Sequence, residues 1–302
     1  MRIVVNGQQA FGKAVLDALD ARGEDVIAVY CAPDARSDRP DPLKAAAAAR
    51  SLPVFQPQSF RDPATHEAFA ALKPDLCVMA YVTKIVPSSF LNLPTRGTIQ
   101  YHPSLLPLHR GPSAINWAII QGRTETGLTI FWPDDGLDTG PVLLQKTTAI
   151  GLDDTLGSVY FDRLFPMGVD AMLEAVDLVR EGKAPRIPQD ETQATYESWC
   201  TADHAGIDWS HPADEVYNLI RGCNPQPGAW TTRNGAKLSI FDAHLTDAPA
   251  GTRPGTILSA DEDGAVIAAG RGAVCAIRVR PQGTGKITAA EAGLKAGEVL
   301  GS

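Results

Sequence analysis

The chain has 302 residues, 44% of them apolar and 21% charged, with a formal net charge of −8. That balance belongs to a folded globular protein with room for one large domain or two, and its acidity argues against a nucleic-acid partner. The five cysteines (Cys31, Cys77, Cys200, Cys223 and Cys275) are scattered without a C-x-x-C pair, the first residues already read as a strand rather than a signal peptide, and no apolar run approaches the ~20 residues of a membrane span, so a cytoplasmic protein with reduced thiols is expected.

Arg2 to Val5 reads as a buried strand, Asn6 to Gly12 as a glycine-bearing turn, Lys13 to Arg22 as a helix and Val26 to Cys31 as a second strand. The glycines of that turn, Gly7 and Gly12, do not make a G-x-G-x-x-G fingerprint, so the turn is expected to serve close strand–helix packing rather than a dinucleotide. A polar loop of mixed charge, Asp34 to Asp41, comes next. Asp41-Pro42 and Asp62-Pro63 each start a helix, with Asp as cap and Pro in the first turn. Val54-Phe55, Leu76–Ala80 and Thr98–His102 read as strands, Tyr81–Ile85 as a loop and Val86–Leu91 as a short turn of helix. After a helix over Ser113–Gln121, an alternating strand runs from Thr126 to Trp132, and Val142–Ala149 pairs back on it. Val159, Leu164, Val169, Met172, Val176 and Val179 stand at helical spacing and predict one long helix from Thr155 to Glu181. Strands alternating with helices predict a mostly parallel sheet. Lys183 to Gln189, with two prolines, reads as a linker. Beyond it come one helix (Ala213–Arg221) and short strands (Lys237–Ala243, Gly255–Leu258, Ala265–Ala268, Val274–Arg280), the pattern of a small β-rich domain or barrel. The expected division is therefore an α/β domain over residues 1–200 and a β-rich domain over residues 201–302.

Chemistry concentrates between Thr98 and Gly140. Pro103 stops the strand Thr98–His102, because proline cannot donate to the ladder, and places Gln100 and His102 at a strand's C-terminal end. Ligands bind there in open α/β sheets. The loop Asp134-Asp135-Gly136-Leu137-Asp138-Thr139-Gly140 closes on a carboxylate. Taken singly, His102 reads as a core histidine, Asp138 as a turn aspartate and Gln100 as a structural carboxamide. Together they form a proton-transfer and oxyanion-binding set without an obvious metal or nucleophile. Ser104 lacks a G-x-S-x-G elbow and reads as a turn or cap residue. His109-Arg110-Gly111 reads as a loop anchor, Tyr81 and Trp132 as packing aromatics or as flanks of a flat ligand. The six histidines form no H-E-x-x-H pattern, so no metal is expected.

The segments Tyr101-His102-Pro103-Ser104-Leu105-Leu106-Pro107 and Asp135-Gly136-Leu137-Asp138-Thr139-Gly140 resemble the formyltransferase-fold enzymes that use 10-formyltetrahydrofolate. The resemblance is closest to the N-terminal hydrolase domain of formyltetrahydrofolate dehydrogenase and more distant to methionyl-tRNA formyltransferase. It extends through Phe11-Gly12, Ser113 to Trp117, Leu143 to Lys146, Ala184-Pro185-Arg186, Ala194 to Glu197 and Ile207-Asp208-Trp209. It implies a Rossmann-like formyltransferase domain with a mostly parallel sheet, followed by a small OB-like barrel. It further implies that His102 stabilises an oxyanion while Asp138 orients the attacking group and moves protons, and that the pterin lies between two loops. Here those loops supply Met79, Ala80, Tyr81, Val82 and Ile85 from one side, and Trp132, Asp134, Asp135, Gly136 and Leu137 from the other. The transferases carry asparagine two residues before the histidine, where this chain has Gln100.

The acceptor divides the expectations. The Asp34–Asp41 loop is short where the tRNA enzyme has a longer basic one, the chain is acidic, and its local motifs follow the hydrolase version. No aldehyde dehydrogenase domain follows before Ser302, so the expectation is a stand-alone enzyme that releases formate to water. Transfer to a small amine, such as an amino sugar or amino acid, is the alternative, with methionyl-tRNA behind it. A folate-binding protein without catalysis is the reading from another class.

Overall fold

The computed structural model describes residues 1–34 and 40–301. In chain order the elements are β1 (Arg2–Gly7), α1 (Gln9–Ala21), β2 (Asp25–Tyr30), α2 (Pro42–Ala49), β3 (Val54–Phe55), α3 (Pro63–Ala71), β4 (Leu76–Ala80), α4 (Ser88–Leu91), β5 (Thr98–His102), α5 (Ala114–Ile120), β6 (Glu125–Phe131) and β7 (Val142–Ala149). Then follow α6 (Leu156–Ser158), a π-helical stretch (Val159–Leu164), α7 (Phe165–Arg180), α8 (Ala213–Gly222), β8 (Ala229–Arg233), β9 (Ala236–Thr246), β10 (Ile257–Asp261), β11 (Gly264–Ala268), β12 (Ala273–Pro281) and β13 (Ile287–Thr288). They gather into two compact units. One comprises Met1–Pro112, Gly127–Thr148 and Arg163–Tyr196, the other Ser113–Thr126, Ala149–Asp162 and Glu197–Ser302.

The first unit is built on a seven-stranded sheet ordered β3-β2-β1-β4-β5-β6-β7. The pairs from β3 to β5 are parallel, and β6 runs antiparallel to β5. The parallel strands are buried on both faces, as their near-continuous apolar runs require. β6 is buried along its whole length after Glu125, so the expected alternation of that strand is absent. The expected caps form: Asp41 accepts from Leu43 N at 2.8 Å and Asp62 from Ala64 N at 3.3 Å. Of the polar loop Asp34–Asp41, residues 35–39 lie outside the described residues.

Three expectations are corrected. The turn Asn6–Gly12 is largely helix, because β1 continues to Gly7 and α1 begins at Gln9. A Cβ on Gly7 would stand 2.2 Å from Ala80 O, and one on Gly12 3.1 Å from Leu43 Cδ2, so both glycines serve strand–helix packing. The single helix over Thr155–Glu181 is three pieces, since Pro166 cannot donate to the carbonyl four residues back and the turn before it widens to π geometry. Lys183–Gln189 is no free linker: Ile187 exchanges two backbone hydrogen bonds of 2.8 and 2.9 Å with Val142 at the start of β7.

α7 lies close over β5 and α1. A Cβ on Gly168 would meet Tyr101 Cε2 at 2.6 Å and Phe11 Cε2 at 3.0 Å, and the Phe11 and Tyr101 rings stand 4.3 Å apart. Burial of a side chain such as Phe11 stabilises by roughly 1.5–3 kcal/mol.

The second unit holds an antiparallel sheet ordered β10-β11-β12-β9-β8, with β13 also on β12. Its last residues join the two edges: Leu300 N donates to Gly255 O ahead of β10, and Gly301 N donates to Thr232 O on β8. The domain is thus an antiparallel sheet, β-rich as the strand pattern predicted, with β10 and β8 at the two ends of its order. Strands β8 and β13 escaped the sequence reading because Ala229–Arg233 and Ile287–Thr288 are short and carry few apolar residues. One core unites Trp209, Val216, Tyr217, Ile220, Leu238, Ile240, Ile257, Ile267, Val274 and Val279. No helix among the described residues is long and apolar enough to cross a membrane.

Candidate active site

His102 is the last residue of β5, at the C-terminal edge of the parallel strands, where it pairs with Thr129 of β6. Beyond it the chain turns sharply, and the turn is pinned from β6 and β7. Thr129 Oγ1 donates to Ser104 O at 2.7 Å and accepts from Leu106 N at 3.1 Å, while Gln145 Nε2 donates to Leu106 O at 2.8 Å and to Thr129 Oγ1 at 2.9 Å. Ser104 is fully buried and its hydroxyl donates to Leu108 O at 2.6 Å, so it is a turn residue.

The turn brings the His109 carbonyl back onto the His102 ring, with Nε2 2.8 Å from His109 O. A carbonyl only accepts, so Nε2 carries the proton and Nδ1 is the nitrogen left for chemistry. Nδ1 lies 3.6 Å from Asp138 Oδ2. That separation brings the two groups together without a direct hydrogen bond between them. The same Asp138 oxygen accepts from Gly111 N at 2.9 Å. His109 and Gly111 therefore touch one partner each, the first through its carbonyl and the second through its amide. His102 is 5% and Asp138 8% exposed, so the pair is nearly dry but reachable.

Asp138 adopts φ +57° and His109 φ +56°, the left-handed region where a non-glycine residue costs roughly 1–2 kcal/mol. Such backbone persists where surrounding contacts hold it. Gln100 sits two residues before His102 on the same face of β5. It is half-buried, and its carboxamide makes no hydrogen bond to the described residues. Gln100 and His102 thus face the same side of β5, and Asp138 meets His102.

The two expected ligand loops are placed differently, residue by residue. Met79 and Ala80 are buried at the end of β4, Met79 in a core with Tyr30, Phe60 and Phe90. Ala80 O accepts from Gln8 N, so these two residues form the scaffold beneath the loop. Tyr81 (φ +66°) and Ile85 are exposed and Val82 is half-buried. Leu137 and Gly136 are exposed at the tip of the other loop. Asp134 turns back on its own loop, accepting from Gly136 N at 3.0 Å and Thr139 Oγ1 at 2.6 Å. Asp135 accepts from Ser88 N at 2.9 Å, which ties the loop to the start of α4 and holds the Asp135 carboxyl below the usual carboxylate range. Trp132 is buried under the Arg186 guanidinium at 3.9 Å, and its indole N–H donates to Pro185 O at 2.8 Å. Its side chain is packing. What the loops leave open to a flat ligand is the Tyr81, Ile85 and Leu137 side chains and neighbouring backbone.

The sequence reading did not single out Gln189 and Thr195. Gln189 Nε2 donates to Asp138 O at 2.9 Å and to Gly140 O at 2.7 Å. Thr195 Oγ1 accepts from His109 N at 2.7 Å. No spacing pattern marks these residues, because their partners lie some fifty to ninety positions away in the chain. Among the described residues no group of three or more His, Cys, Asp or Glu is placed to hold a metal ion.

The formyl transferase family model matches residues 1–176, and the model of the formyl transferase C-terminal domain matches residues 200–295. Cytosolic 10-formyltetrahydrofolate dehydrogenase of Xenopus laevis is 41% identical over 251 residues, covering 82% of this chain but 28% of that protein. The chain thus spans under a third of the dehydrogenase it matches. Methionyl-tRNA formyltransferase of Moorella thermoacetica is 38% identical over 311 residues, covering 100% of this chain and 99% of that one. A crystal structure of the N-formyltransferase from Helicobacter canadensis, with folinic acid and dTDP-3-aminofucose, superposes with a TM-score of 0.70 at 19% identity, over 91% of this chain and 98% of that chain. With both of its domains matched, and a relative aligned along its full length, the chain belongs to the formyl transferase family.

Proposed function

We propose that the protein binds 10-formyltetrahydrofolate and transfers its formyl group to water, releasing formate and tetrahydrofolate. The observation that carries this reading is the His102–Asp138 pair. Two segments 36 positions apart place an imidazole nitrogen and a carboxylate oxygen 3.6 Å from each other at the C-terminal edge of the sheet, beside two loops with exposed apolar side chains. The family assignment supports the formyl donor, and the identity to the dehydrogenase's N-terminal region supports water as acceptor.

The residues divide the work as their hydrogen bonds allow. Asp138 is anchored through Gly111 N and keeps lone pairs with which to hold an attacking water, take its proton, and hand that proton to the departing folate nitrogen as the formyl C–N bond breaks. His102 is fixed through Nε2, so Nδ1 donates toward the oxyanion once protonated, and the adjacent Asp138 stabilises the imidazolium. Gln100, with a carboxamide unclaimed by the described residues, supplies a second N–H to the same oxygen. Tyr81, Val82, Ile85 and Leu137 cover the pterin, while backbone groups of both loops read its edge. The chemistry lies in the domain of residues 1–200.

A second reading replaces water by an amine. The end-to-end match with a methionyl-tRNA formyltransferase favours it. One experiment separates the two: incubation with 10-formyltetrahydrofolate and no acceptor, following tetrahydrofolate and free formate together. Equal release of both, lost in His102→Ala and Asp138→Asn, supports the hydrolase. Binding without release points to the amine, to be identified among amino sugars, amino acids and charged tRNA. Near-normal turnover in either variant, or no binding, refutes the proposal. Gln100→Ala is expected to lower kcat by about 100-fold if its N–H stabilises the oxyanion, as loss of one such donor does elsewhere. An unchanged kcat makes Gln100 a packing residue.

A further inference from the structure

The site has a rear support that the proposed chemistry does not itself use. Asp138 holds a left-handed backbone, φ +57°, at the end of an exposed loop. Its carboxylate is held from one side by Gly111 N. The backbone on both sides of Thr139 is held by a side-chain amide. Gln189 Nε2 donates both of its hydrogens, one to Asp138 O (2.9 Å) and one to Gly140 O (2.7 Å), spanning Thr139. Gln189 Oε1 is claimed in turn by Arg110, through Nη2 at 2.7 Å and Nε at 3.2 Å. The amide is therefore locked in orientation, because a flip would set its N–H against the guanidinium and its oxygen against two carbonyls.

Arg110 is itself fully buried, and its charge is met by a two-point pair with Glu191 (2.9 and 2.6 Å) and by a bond to the Tyr196 hydroxyl. Glu191, by contrast, is 63% exposed. The same strap reaches the histidine side. Thr195 accepts from His109 N through Oγ1 at 2.7 Å and from Arg110 N through its carbonyl at 3.0 Å, and the His109 carbonyl fixes His102 Nε2. Residues 189–196 thus bear on His102 through one route and on Asp138 through another, and Arg110 lies where the routes meet.

We propose that Gln189, oriented by Arg110, is a positioning residue that sets the separation and alignment of the His102–Asp138 pair. The inference rests on the proposed role of that pair. Its alternative is a buried polar cluster that stabilises the fold and leaves the chemistry alone. The two differ in what a shape-preserving change does. Gln189→Glu keeps an oxygen for Arg110 but loses the donor and faces two carbonyls with a carboxylate. The expected result is a 10- to 100-fold lower kcat with a KM for 10-formyltetrahydrofolate within about threefold of wild type, a split that loss of fold stability alone would not produce.

The wild-type protein is assayed first. If it releases no formate in a His102-dependent way and moves no formyl group to any amine acceptor, the proposed function fails and not this inference. If it is active and Gln189→Glu keeps its kcat within about twofold, or loses kcat and KM together, the positioning role is overturned. Should Gln189→Glu not fold, Glu191→Gln at the exposed end of the strap replaces it: a kcat lowered about three- to tenfold with KM unchanged supports the proposal, and wild-type kinetics overturn it.

Discussion

Gly140 is the point where this site is least tolerant of one added carbon. A Cβ built there lies 1.8 Å from Trp132 O, 2.9 Å from Trp132 C and 3.3 Å from Pro133 Cα. All three are backbone atoms, so no side chain can rotate aside. Reaching ordinary contact requires the two strands of the loop to part by about 1.5 Å. The parting strains the Trp132 N to Pro141 O bond of 2.9 Å and the Gln189 Nε2 to Gly140 O bond of 2.7 Å. Overpacking costs about 1–3 kcal/mol, and a buried backbone group left without its partner about 1–3 kcal/mol more. For Gly140→Ala the expected destabilisation is therefore about 2–6 kcal/mol. At about 2–4 °C per kcal/mol for a domain of 150–250 residues, Tm falls by roughly 4–24 °C. Because Asp138 shares the displaced loop, formate release is expected to fall with it. Gly285→Ala is the control, since nothing lies within 4 Å of its added carbon. Calorimetry and the formate assay on both variants decide the matter. A Gly140→Ala protein with Tm within about 1 °C of the control and full activity refutes the reasoning, because the loop would then have room that the geometry denies it.

Two further outcomes follow from the ionisable groups. The thiols should react in sequence: Cys200 is partly exposed and pulled below the usual thiol range by a hydrogen bond with Cys223 at 3.9 Å, while burial pushes Cys31 up to about 11 and Cys77 to about 12. Mass mapping after brief alkylation of the native protein should label Cys200 first; equal labelling of Cys31 or Cys77 sinks the assignment. Acid should loosen the loop and its strap before the core. Hydrogen bonding from Arg110 depresses the Glu191 carboxyl and that from Ser88 N depresses Asp135. A depressed carboxyl stabilises the fold above its unfolded value, about 3.9 for Asp and 4.3 for Glu, and loses that contribution as pH falls through the folded value. Protection factors, taken relative to the intrinsic exchange rate at each pH, should therefore fall around residues 134–140 and 189–196 on going from about pH 6 to pH 3, ahead of β1 and β4; uniform protection there would contradict it.

Much of the architecture was legible in local pattern, because short-range physics governs it. The apolar runs of Leu76–Ala80 and Thr98–His102 and the Asp-Pro helix starts mark elements whose energetics are settled within a few residues. The stop at Pro103 and the loop ending at Asp138 likewise located both partners of the candidate site, since proline and glycine act on their own backbone. The interruption before Pro166 was also within reach of the sequence, and the periodicity of the flanking helix concealed it.

Only the tertiary structure decided which residues hold the pair. The Trp132 ring lies beneath the Arg186 guanidinium, and Asp134 and Asp135 spend their carboxylates on the chain. Lys183–Gln189 reads as a linker by composition, yet it pairs with β7 and delivers Gln189 to Asp138. These contacts join residues far apart in the chain, and their geometry depends on how the whole sheet brings those residues together. A sequence names the groups able to bond; the packed fold selects the partner each of them meets.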